Sequence, residues 1–346
     1  LGVPLFQEQG MRVAVEAANF TLSEADELRR AMGHKRSREK MEALSDKLIK
    51  GMMRNGITLE AAERIFKQLA AFADFGFAES HAASFALLVY VSAYLKLYYP
   101  AEFYCSLLNS QPMGFYSPSS IAFEMRRKRV RLNHVDVLRS NWDCTVEENS
   151  VRLGYQCVKG IGESSGERIE AARDERLFDS IKDFVFRTGL NQLELTRIAQ
   201  ADGFECFGVT RREAVWQVLS LLRQSPDALQ VETTETGLAL LPSMTIGDTL
   251  VSDFKSMGLS PGPHPTQLIR DRLTDKGVVK SKDLALYPSG RPVKVAGLVV
   301  IRQRPVTAKG FLFITLEDET GFSNIVVKPQ MSGRYRKEVT QSKALI

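Results

Sequence analysis

One stretch, residues 72 to 103, constrains the fold of this chain more than any other. Gly76 is expected to end one helix, Ser80 to cap the next through its hydroxyl group, and Pro100 to stop it. Between these limits the sequence predicts a helix of about five turns at 3.6 residues per turn. Because its residues are nearly all apolar, we expect a buried core helix in a largely helical domain.

The few polar residues of this helix share one face, since His81, Ser84 and Lys96 fall within about a third of its circumference. A Ser-His pair therefore marks its start, where free N–H groups and the helix dipole favour a bound phosphate. The alternative is that Ser80 only caps the helix and His81 is an ordinary boundary residue. A membrane span is disfavoured because the segment is short and carries Lys96.

Length and composition predict an ordinary globular protein of two or three domains. The chain has 346 residues, of which 44% are hydrophobic and 25% are charged. Its four cysteines include no C-x-x-C pair, which argues against a zinc site or a disulfide framework and fits a reduced, cytoplasmic protein. The first residue is Leu1 and the last residues resemble the start of a strand, so we expect a piece of a longer protein.

The hydrophobic pattern divides the chain into four predicted domains. Residues 1–115 have helical spacing, and residues 116–225 begin with a basic helix and continue as helices. Residues 226–290 form a proline-rich linker with one or two helical pieces, and residues 291–346 form the last domain. From residue 293 the period becomes two, with strands at 293–300, 311–316 and 321–327. The predicted fold is therefore multidomain and mostly α, followed by a small all-β OB-fold barrel that is incomplete.

A first basic cluster lies at residues 28–35, whose sequence is LRRAMGHK. Arg29, Arg30 and Lys35 around a helix end favour a polyanion, because arginine binds two phosphate oxygens at once and lysine adds a point charge. The alternative is a solvated basic helix face.

The sequence VKGIGES at residues 158–164 is typical of a helix-hairpin-helix. A turn without side chains lets a DNA backbone approach its bare N–H groups. The predicted DNA-binding residues here are Lys159, Gly160, Ile161, Gly162 and Ser164. Residues 195–208 resemble a second, degraded copy, and an ordinary helical turn is the alternative for both.

A basic run just ahead of this turn contributes most of the net charge. Residues 119–139 hold six Lys or Arg against Glu124 and Asp136, which is +4 of the formal +5. We predict that this run contacts the DNA backbone through four residues, Arg126, Arg127, Lys128 and Arg129. The predicted OB strands carry basic and aromatic residues suited to single-stranded DNA. A surface charge run without a ligand is the alternative.

No self-sufficient active site is recognisable in the sequence. Nucleotidyl transfer by two metal ions needs a close set of carboxylates, yet no Asp-x-Asp occurs, and Glu317-Asp318-Glu319 is assigned to a hairpin turn. Phosphate-binding loops and nucleophile elbows are also missing.

Five segments resemble the bacterial C-family DNA polymerases. LRRAMGHK at 28–35, GFAESHAASFAL at 76–87 and YPAEF at 99–103 are similar to the fingers of these enzymes, and QEQGM at 7–11 is also similar. LLNSQPMGFYSP at 107–118 resembles the error-prone DnaE-like branch rather than the replicative subunit. Replicative relatives have Lys-Ser-His where this chain has Glu79-Ser80-His81, which supports the error-prone branch.

The resemblance implies roles for the residues above. Arg29, Arg30, Lys35, Ser80 and His81 would bind the triphosphate of the incoming nucleotide, the hairpin would hold primer-template DNA, and the OB-fold would bind single-stranded template. The palm that binds Mg²⁺, together with a further domain, lies upstream in the family, so we expect no catalytic or metal-binding residue in this chain and no primer extension by it alone.

The resemblance also implies partners. A clamp-binding peptide is expected before the OB-fold, but the nearest stretch, residues 229–233, lacks its aromatic anchor. We therefore expect recruitment by other mutasome proteins, with the sliding clamp reached indirectly. The predicted function is a portion of an error-prone, translesion DNA polymerase. The alternative is a non-catalytic DNA-binding scaffold built from hairpin and OB modules.

Overall fold

A computed structural model describes residues 6–31, 37–72, 78–114, 116–223, 241–305 and 308–346. The chain forms two compact units, Leu1–Tyr94 and Leu95–Ile346. It is mainly helical and ends in a curled four-stranded antiparallel sheet, consistent with a small OB-like half-barrel. The predicted fold class is therefore confirmed, while the four domain boundaries stay predictions.

The first unit is built from helices that pack around a small apolar core. They are α1 (Gln7–Ala18), α2 (Leu22–Ala31), α3 (Ser37–Arg54), α4 (Leu59–Phe72) and α5 (Glu79–Tyr98), which continues into the second unit. Apolar residues at helical spacing on α1 to α4 meet in this core, which contains Ala14, Leu28, Leu48, Met52, Ala62 and Leu69. Helices with one apolar face pack in this way because each can bury that face only against another.

Local signals place the first four helices. The predicted capping box at the start of α2 is present, since Thr21 N–H donates to Glu24 (2.8 Å) and Glu24 N–H donates to the Thr21 hydroxyl (3.3 Å). Gly51 lets α3 approach α1 closely, because a Cβ at this position would lie 2.2 Å from the Ala18 carbonyl oxygen. Met32–Arg36 and Ala73–Phe77, including Gly33 and Gly76, lie outside the described residues.

The predicted burial of α5 is wrong. None of its residues is buried, and Leu88 and Tyr90 are 59% and 70% exposed. The helix begins at Glu79, so Ser80 lies inside its first turn rather than at the N-cap. It does end before Pro100, as predicted. A helix that is apolar on all sides is buried only where other elements cover it, and across the described ranges α5 is left uncovered.

A search for membrane-spanning helices within the described ranges gives no single helix that is long and apolar enough. One broken pair, α5 with the following helix Pro100–Asn109, meets the criteria of length and composition only when the two are taken together.

The second unit begins with helices around a small three-stranded sheet. Helices α6 (Pro100–Asn109) and α7 (Pro118–Arg127) precede strands β1 (Arg131–Asn133), β2 (Thr145–Glu147) and β3 (Ser150–Arg152). The strand order is β1-β3-β2, with β1 parallel and β2 antiparallel to β3. A single 3₁₀ turn, Tyr155–Cys157, leads from this sheet into the hairpin.

Four further helices complete the large core of this unit. They are α8 (Glu163–Glu175), α9 (Ile181–Thr188), α10 (Gln192–Gln200) and α11 (Arg211–Arg223), with a 3₁₀ turn at Glu205–Phe207 between the last two. Phe184 lies at the centre, with its ring centroid 4.9 Å from Phe178 and 5.1 Å from Phe204.

Part of the segment expected to be a linker is folded onto this core. From residue 241 onward it contains α12 (Ile246–Ser256), α13 (Pro265–Leu268) and α14 (Arg270–Asp275), followed by a short strand β4 (Val278–Val279) and a 3₁₀ helix, Ser281–Leu286. Asp253 of α12 is buried and accepts a hydrogen bond from Arg211 of α11 at 2.8 Å. Two buried, paired charges hold α12 against the helical core.

The unit ends in the curled sheet. Its order is β8-β7-β6-β9, formed by β6 (Gly297–Gln303), β7 (Leu312–Asp318), β8 (Gly321–Val327) and β9 (Ala344–Leu345), and all neighbours are antiparallel. Strand β5 (Lys294–Val295) pairs with β4. Helices α15 (Pro329–Arg334) and α16 (Arg336–Gln341) lie between β8 and β9 in the chain. The three predicted strands are thus confirmed within a few residues.

An acidic turn, Glu317–Glu319, links this sheet to the helices. Arg127 of α7 lies 3.1 Å from Glu317, and Arg270 of α14 lies 2.6 Å from Glu319. Asp318 accepts the Ser281 N–H at 2.8 Å. The sequence predicts that these carboxylates lie on an ordinary hairpin turn. In the structure they pair with α7, α14 and the 3₁₀ helix, and so hold the sheet against the rest of the second unit.

Candidate nucleic-acid interface

The hairpin predicted from the sequence lies between the 3₁₀ turn Tyr155–Cys157 and α8. Val158 and Ile161 are buried, at 1% and 8% exposure, and anchor the hairpin in the core. Gly160 and Gly162 are exposed, and Gly160 has φ +90°, a left-handed conformation that glycine adopts without strain. The apolar side chains thus face inward, and the glycine backbone faces solvent.

The start of α8 offers backbone donors to an anion. Gly162 is the N-cap residue and has no side chain to cap the first N–H groups, which have no acceptor within a helix. Ser164, in this first turn, is exposed. Lys159 is also exposed, while its backbone N–H donates to the Ser256 carbonyl at 2.8 Å and so ties the hairpin to the end of α12.

Arg197 of α10 was missed by the sequence analysis. A Cβ on Gly160 would lie 3.8 Å from the Arg197 Cγ atom, so the stem of this side chain packs beside the hairpin, while its guanidinium group donates to the Gln200 side-chain oxygen at 3.2 Å. Its place follows from the packing of α10 beside the turn, and the sequence carries no local signal for it.

The four predicted basic residues before the hairpin differ in their surroundings. Arg126, Lys128 and Arg129 are exposed, although Arg126 donates to the Pro261 carbonyl. Arg127 is only 16% exposed and is paired with Glu124 and Glu317. These ion pairs oppose a contact between Arg127 and DNA, so its predicted role has the least support of the four.

Part of the basic run lines one shallow cavity. Arg126, Arg129 and Arg131 surround a volume of about 250 Å³ together with Pro261. Three guanidinium groups around one depression form an electropositive surface suited to phosphate oxygens.

The second, degraded hairpin copy has a different character. Its turn follows α10 and contains Gly203, which is buried. A Cβ there would lie 2.6 Å from the Ile198 side chain, and the Gly203 carbonyl accepts the Val137 N–H at 3.0 Å. This turn therefore packs inside the unit, and the first hairpin is the one that presents its backbone.

Four of the five residues predicted to bind a nucleotide lie on two helices of the first unit. Arg29 and Arg30 both pair with Asp26, at 2.9 and 2.8 Å, and hydrogen bonding from Arg29 lowers the pKa of Asp26. Ser80 and His81 are exposed at the start of α5, and the His81 ring lies 4.4 Å from that of Phe85. Lys35 is outside the described residues. Convergence of these groups on one ligand stays a prediction.

Within the described ranges, no group of three or more His, Cys, Asp or Glu residues is placed to hold a metal ion. The carboxylates of the acidic turn are instead occupied by arginines, hydroxyl groups and backbone N–H groups.

Two family models each match part of this chain. Residues 1–56 match the bacterial DNA polymerase III alpha subunit finger domain, and residues 129–214 match a helix-hairpin-helix motif. The second range includes the exposed hairpin and ends within α11. The chain is thus similar to bacterial replicative-type polymerases in its first part and to a DNA-binding motif in its second.

Curated relatives of similar sequence are named as error-prone DNA polymerases. The chain is 45% identical over 351 residues to the error-prone DNA polymerase of Anaeromyxobacter sp. (strain K). The aligned region is 98% of this chain and 31% of that protein. It is 44% identical to the error-prone DNA polymerase of Aromatoleum aromaticum, and the alignment covers 100% of this chain and 33% of that protein. It is 40% identical to error-prone DNA polymerase 1 of Rhizobium meliloti, and the alignment covers 99% of this chain and 33% of that protein.

The predicted resemblance to the error-prone branch of these polymerases is confirmed. The chain spans about a third of the length of the relatives it matches.

Proposed function

We propose that this chain is a portion of an error-prone, translesion DNA polymerase that extends primers with deoxynucleoside triphosphates. The observation that carries the proposal is the similarity to error-prone DNA polymerases at 40–45% identity over nearly the whole chain. The exposed glycine hairpin above an apolar anchor agrees with it, because that geometry suits a DNA backbone.

In this proposal the chain binds primer-template DNA through the hairpin and the basic cavity, and the incoming nucleotide through Arg29, Arg30, Lys35, Ser80 and His81. Mg²⁺ would supply the charge that stabilises the transferred phosphoryl group. We place the metal in the palm, which the resemblance implies lies upstream of this chain in the whole polymerase. Other mutasome proteins, and through them the sliding clamp, are the proposed partners. Residues 229–233 lie outside the described residues.

A single glycine tests the DNA-binding half of the proposal. Gly162→Ala adds one methyl group to open space, with no atom within 4 Å and with φ −94°, so the fold should tolerate it. The methyl group would nevertheless stand between the start of α8 and a DNA backbone. We expect duplex affinity to fall about tenfold, which is about 1.4 kcal/mol, as measured by fluorescence anisotropy with the 346-residue chain.

The matched control is Gly333→Ala, which also adds a methyl group to open space, on α15. It should leave the affinity unchanged. For the parent chain, affinity should fall with salt by roughly 0.9 log unit per log unit of salt for each phosphate contact. Equal affinities of both variants would remove the hairpin from the DNA interface.

A further inference from the structure

The tertiary structure brings together two cysteines that the sequence analysis regarded as scattered. The sulfur atoms of Cys144 and Cys157 are 3.6 Å apart. Cys144 is 3% exposed and lies just before β2, while Cys157 is partly exposed and ends the 3₁₀ turn that leads into the hairpin. A buried cysteine therefore adjoins a partly exposed one.

Cys144 is the better anchored of the two. Its backbone N–H donates to the Asn109 side-chain oxygen at 2.8 Å, and its carbonyl accepts from the same side chain at 2.9 Å. Cys157 is held by a hydrogen bond from its N–H to the Gly154 carbonyl at 3.1 Å. Motion that changes the distance between the sulfur atoms will therefore be taken up mainly by the turn that carries Cys157.

We propose that Cys144 and Cys157 form a reversible disulfide when the protein meets a peroxide, and that this bond weakens binding of duplex DNA at the adjoining hairpin. The first half depends only on the geometry of the two thiols. The second half rests on the proposed function of the hairpin.

The chemistry balances with hydrogen peroxide as oxidant. Hydrogen bonding between the two thiols lowers the pKa of Cys157 and raises that of Cys144, so Cys157 loses its proton more readily and is the nucleophile in this proposal. Its sulfur attacks one peroxide oxygen, the O–O bond breaks, and the released hydroxide takes a proton to become water. Cys144 then displaces the hydroxyl group of the Cys157 sulfenic acid, giving the disulfide and a second water. Two electrons pass from the two sulfurs to the peroxide.

The bond would strain the hairpin because the sulfur atoms must approach. Their separation has to fall from 3.6 Å to about 2.0 Å. Val158 follows Cys157 directly, and the next residue, Lys159, is tied through its N–H to Ser256. Pulling the turn toward Cys144 therefore shifts the first hairpin residues against that anchor and misplaces the glycine backbone.

Peptide mapping by mass spectrometry tests the first half on the unmodified chain. After exposure to hydrogen peroxide we expect a cross-linked peptide pair containing Cys144 and Cys157, a mass loss of about 2 Da, and full reversal by dithiothreitol. Cys206→Ser, at an exposed cysteine elsewhere, should keep the cross-link, and Cys157→Ser should abolish it. Peroxide treatment without this cross-link would overturn the proposal.

Fluorescence anisotropy with duplex DNA tests the second half. Oxidised Cys206→Ser should bind about fivefold more weakly than its reduced form, whereas Cys157→Ser should bind equally well before and after peroxide. A complete cross-link with unchanged affinity would overturn the coupling to DNA. A reduced chain that binds no DNA at all would instead contradict the proposed function, while leaving the mapped disulfide in place.

Discussion

Glu317 has no exposed surface, and burial raises the pKa of its carboxyl group to about 7. Removal from water disfavours the charged carboxylate, and the opposing attraction of Arg127, 3.1 Å away, does not compensate fully. His264, buried nearby in the chain between α12 and α13, shows the reverse effect, since burial lowers its pKa to about 4. Both groups favour their neutral forms in the folded protein.

The variant Glu317→Gln tests whether burial raises the pKa of Glu317. The folded-state pKa lies above the ordinary value of 4.5, so the native state binds the proton more tightly than the unfolded chain. The resulting stability is fully present below about pH 4.5 and is lost as pH rises through 7. We therefore expect the free energy of unfolding of the parent chain, minus that of Glu317→Gln, to fall by on the order of 3 kcal/mol across this window.

Urea unfolding at several pH values measures this difference. His264→Gln is the contrasting variant, because a depressed folded-state pKa gives stability that is lost as pH falls from about 6.5 to about 4. The free energy of unfolding of the parent chain, minus that of His264→Gln, should therefore rise with pH. If these two differences in the free energy of unfolding changed with pH in the same direction, the raised pKa of Glu317 would be contradicted.

At the scale of elements, α5 shows how far composition and environment can diverge. Its apolar residues predict a core helix, yet Leu88 is 59% exposed and none of its residues is buried. By contrast α3, whose pattern is amphipathic, buries Leu48 completely. An amphipathic helix needs only one neighbour, whereas a helix that is apolar all round must be enclosed.

A pair of Leu→Ala substitutions separates these two environments. Leu48→Ala removes a fully buried side chain and should lower the free energy of unfolding of the first unit by about 2–5 kcal/mol. Leu88→Ala removes a largely exposed one and should change it by less than about 0.5 kcal/mol. Circular dichroism during urea unfolding measures both. An equal loss for the two variants would show that α5 is enclosed in solution.

At the scale of the molecule, the chain corresponds to about a third of its polymerase relatives. The two functions considered for this chain, a portion of a polymerase and a non-catalytic DNA-binding scaffold, require different binding sites in the first unit. Only a polymerase requires a cationic site for a triphosphate, and the proposal assigns that site to Arg29 and Arg30, which both pair with Asp26 in this structure.

Replacing Arg29 and Arg30 with Ala in the whole proposed polymerase decides between these alternatives. We expect the KM for the incoming nucleotide to rise at least tenfold, about 1.4 kcal/mol, while the Kd for primer-template DNA changes little. Steady-state primer extension and anisotropy measure the two constants. Arg12→Ala, which removes an exposed arginine paired with Glu16, is the control. Unchanged nucleotide kinetics would contradict the fingers assignment.

Several features of this protein follow from short segments of sequence. The Thr21 capping box, the end of α5 before Pro100 and the strands after residue 293 depend on local signals that act within a few residues. The glycine hairpin at 160–162 is equally local, because the left-handed conformation of Gly160 favours a residue without a side chain. The family resemblance was recognisable for the same reason, since its motifs are contiguous.

Other features were decided only by the tertiary structure. The inward ion pairs of Arg127, the occupied carboxylates of the acidic turn and the contact between Cys144 and Cys157 all join residues far apart in sequence. The exposure of α5 likewise depends on which elements surround it. Burial, pairing and pKa are properties of packed neighbours, and a local pattern specifies which surface a segment offers but not what will meet it.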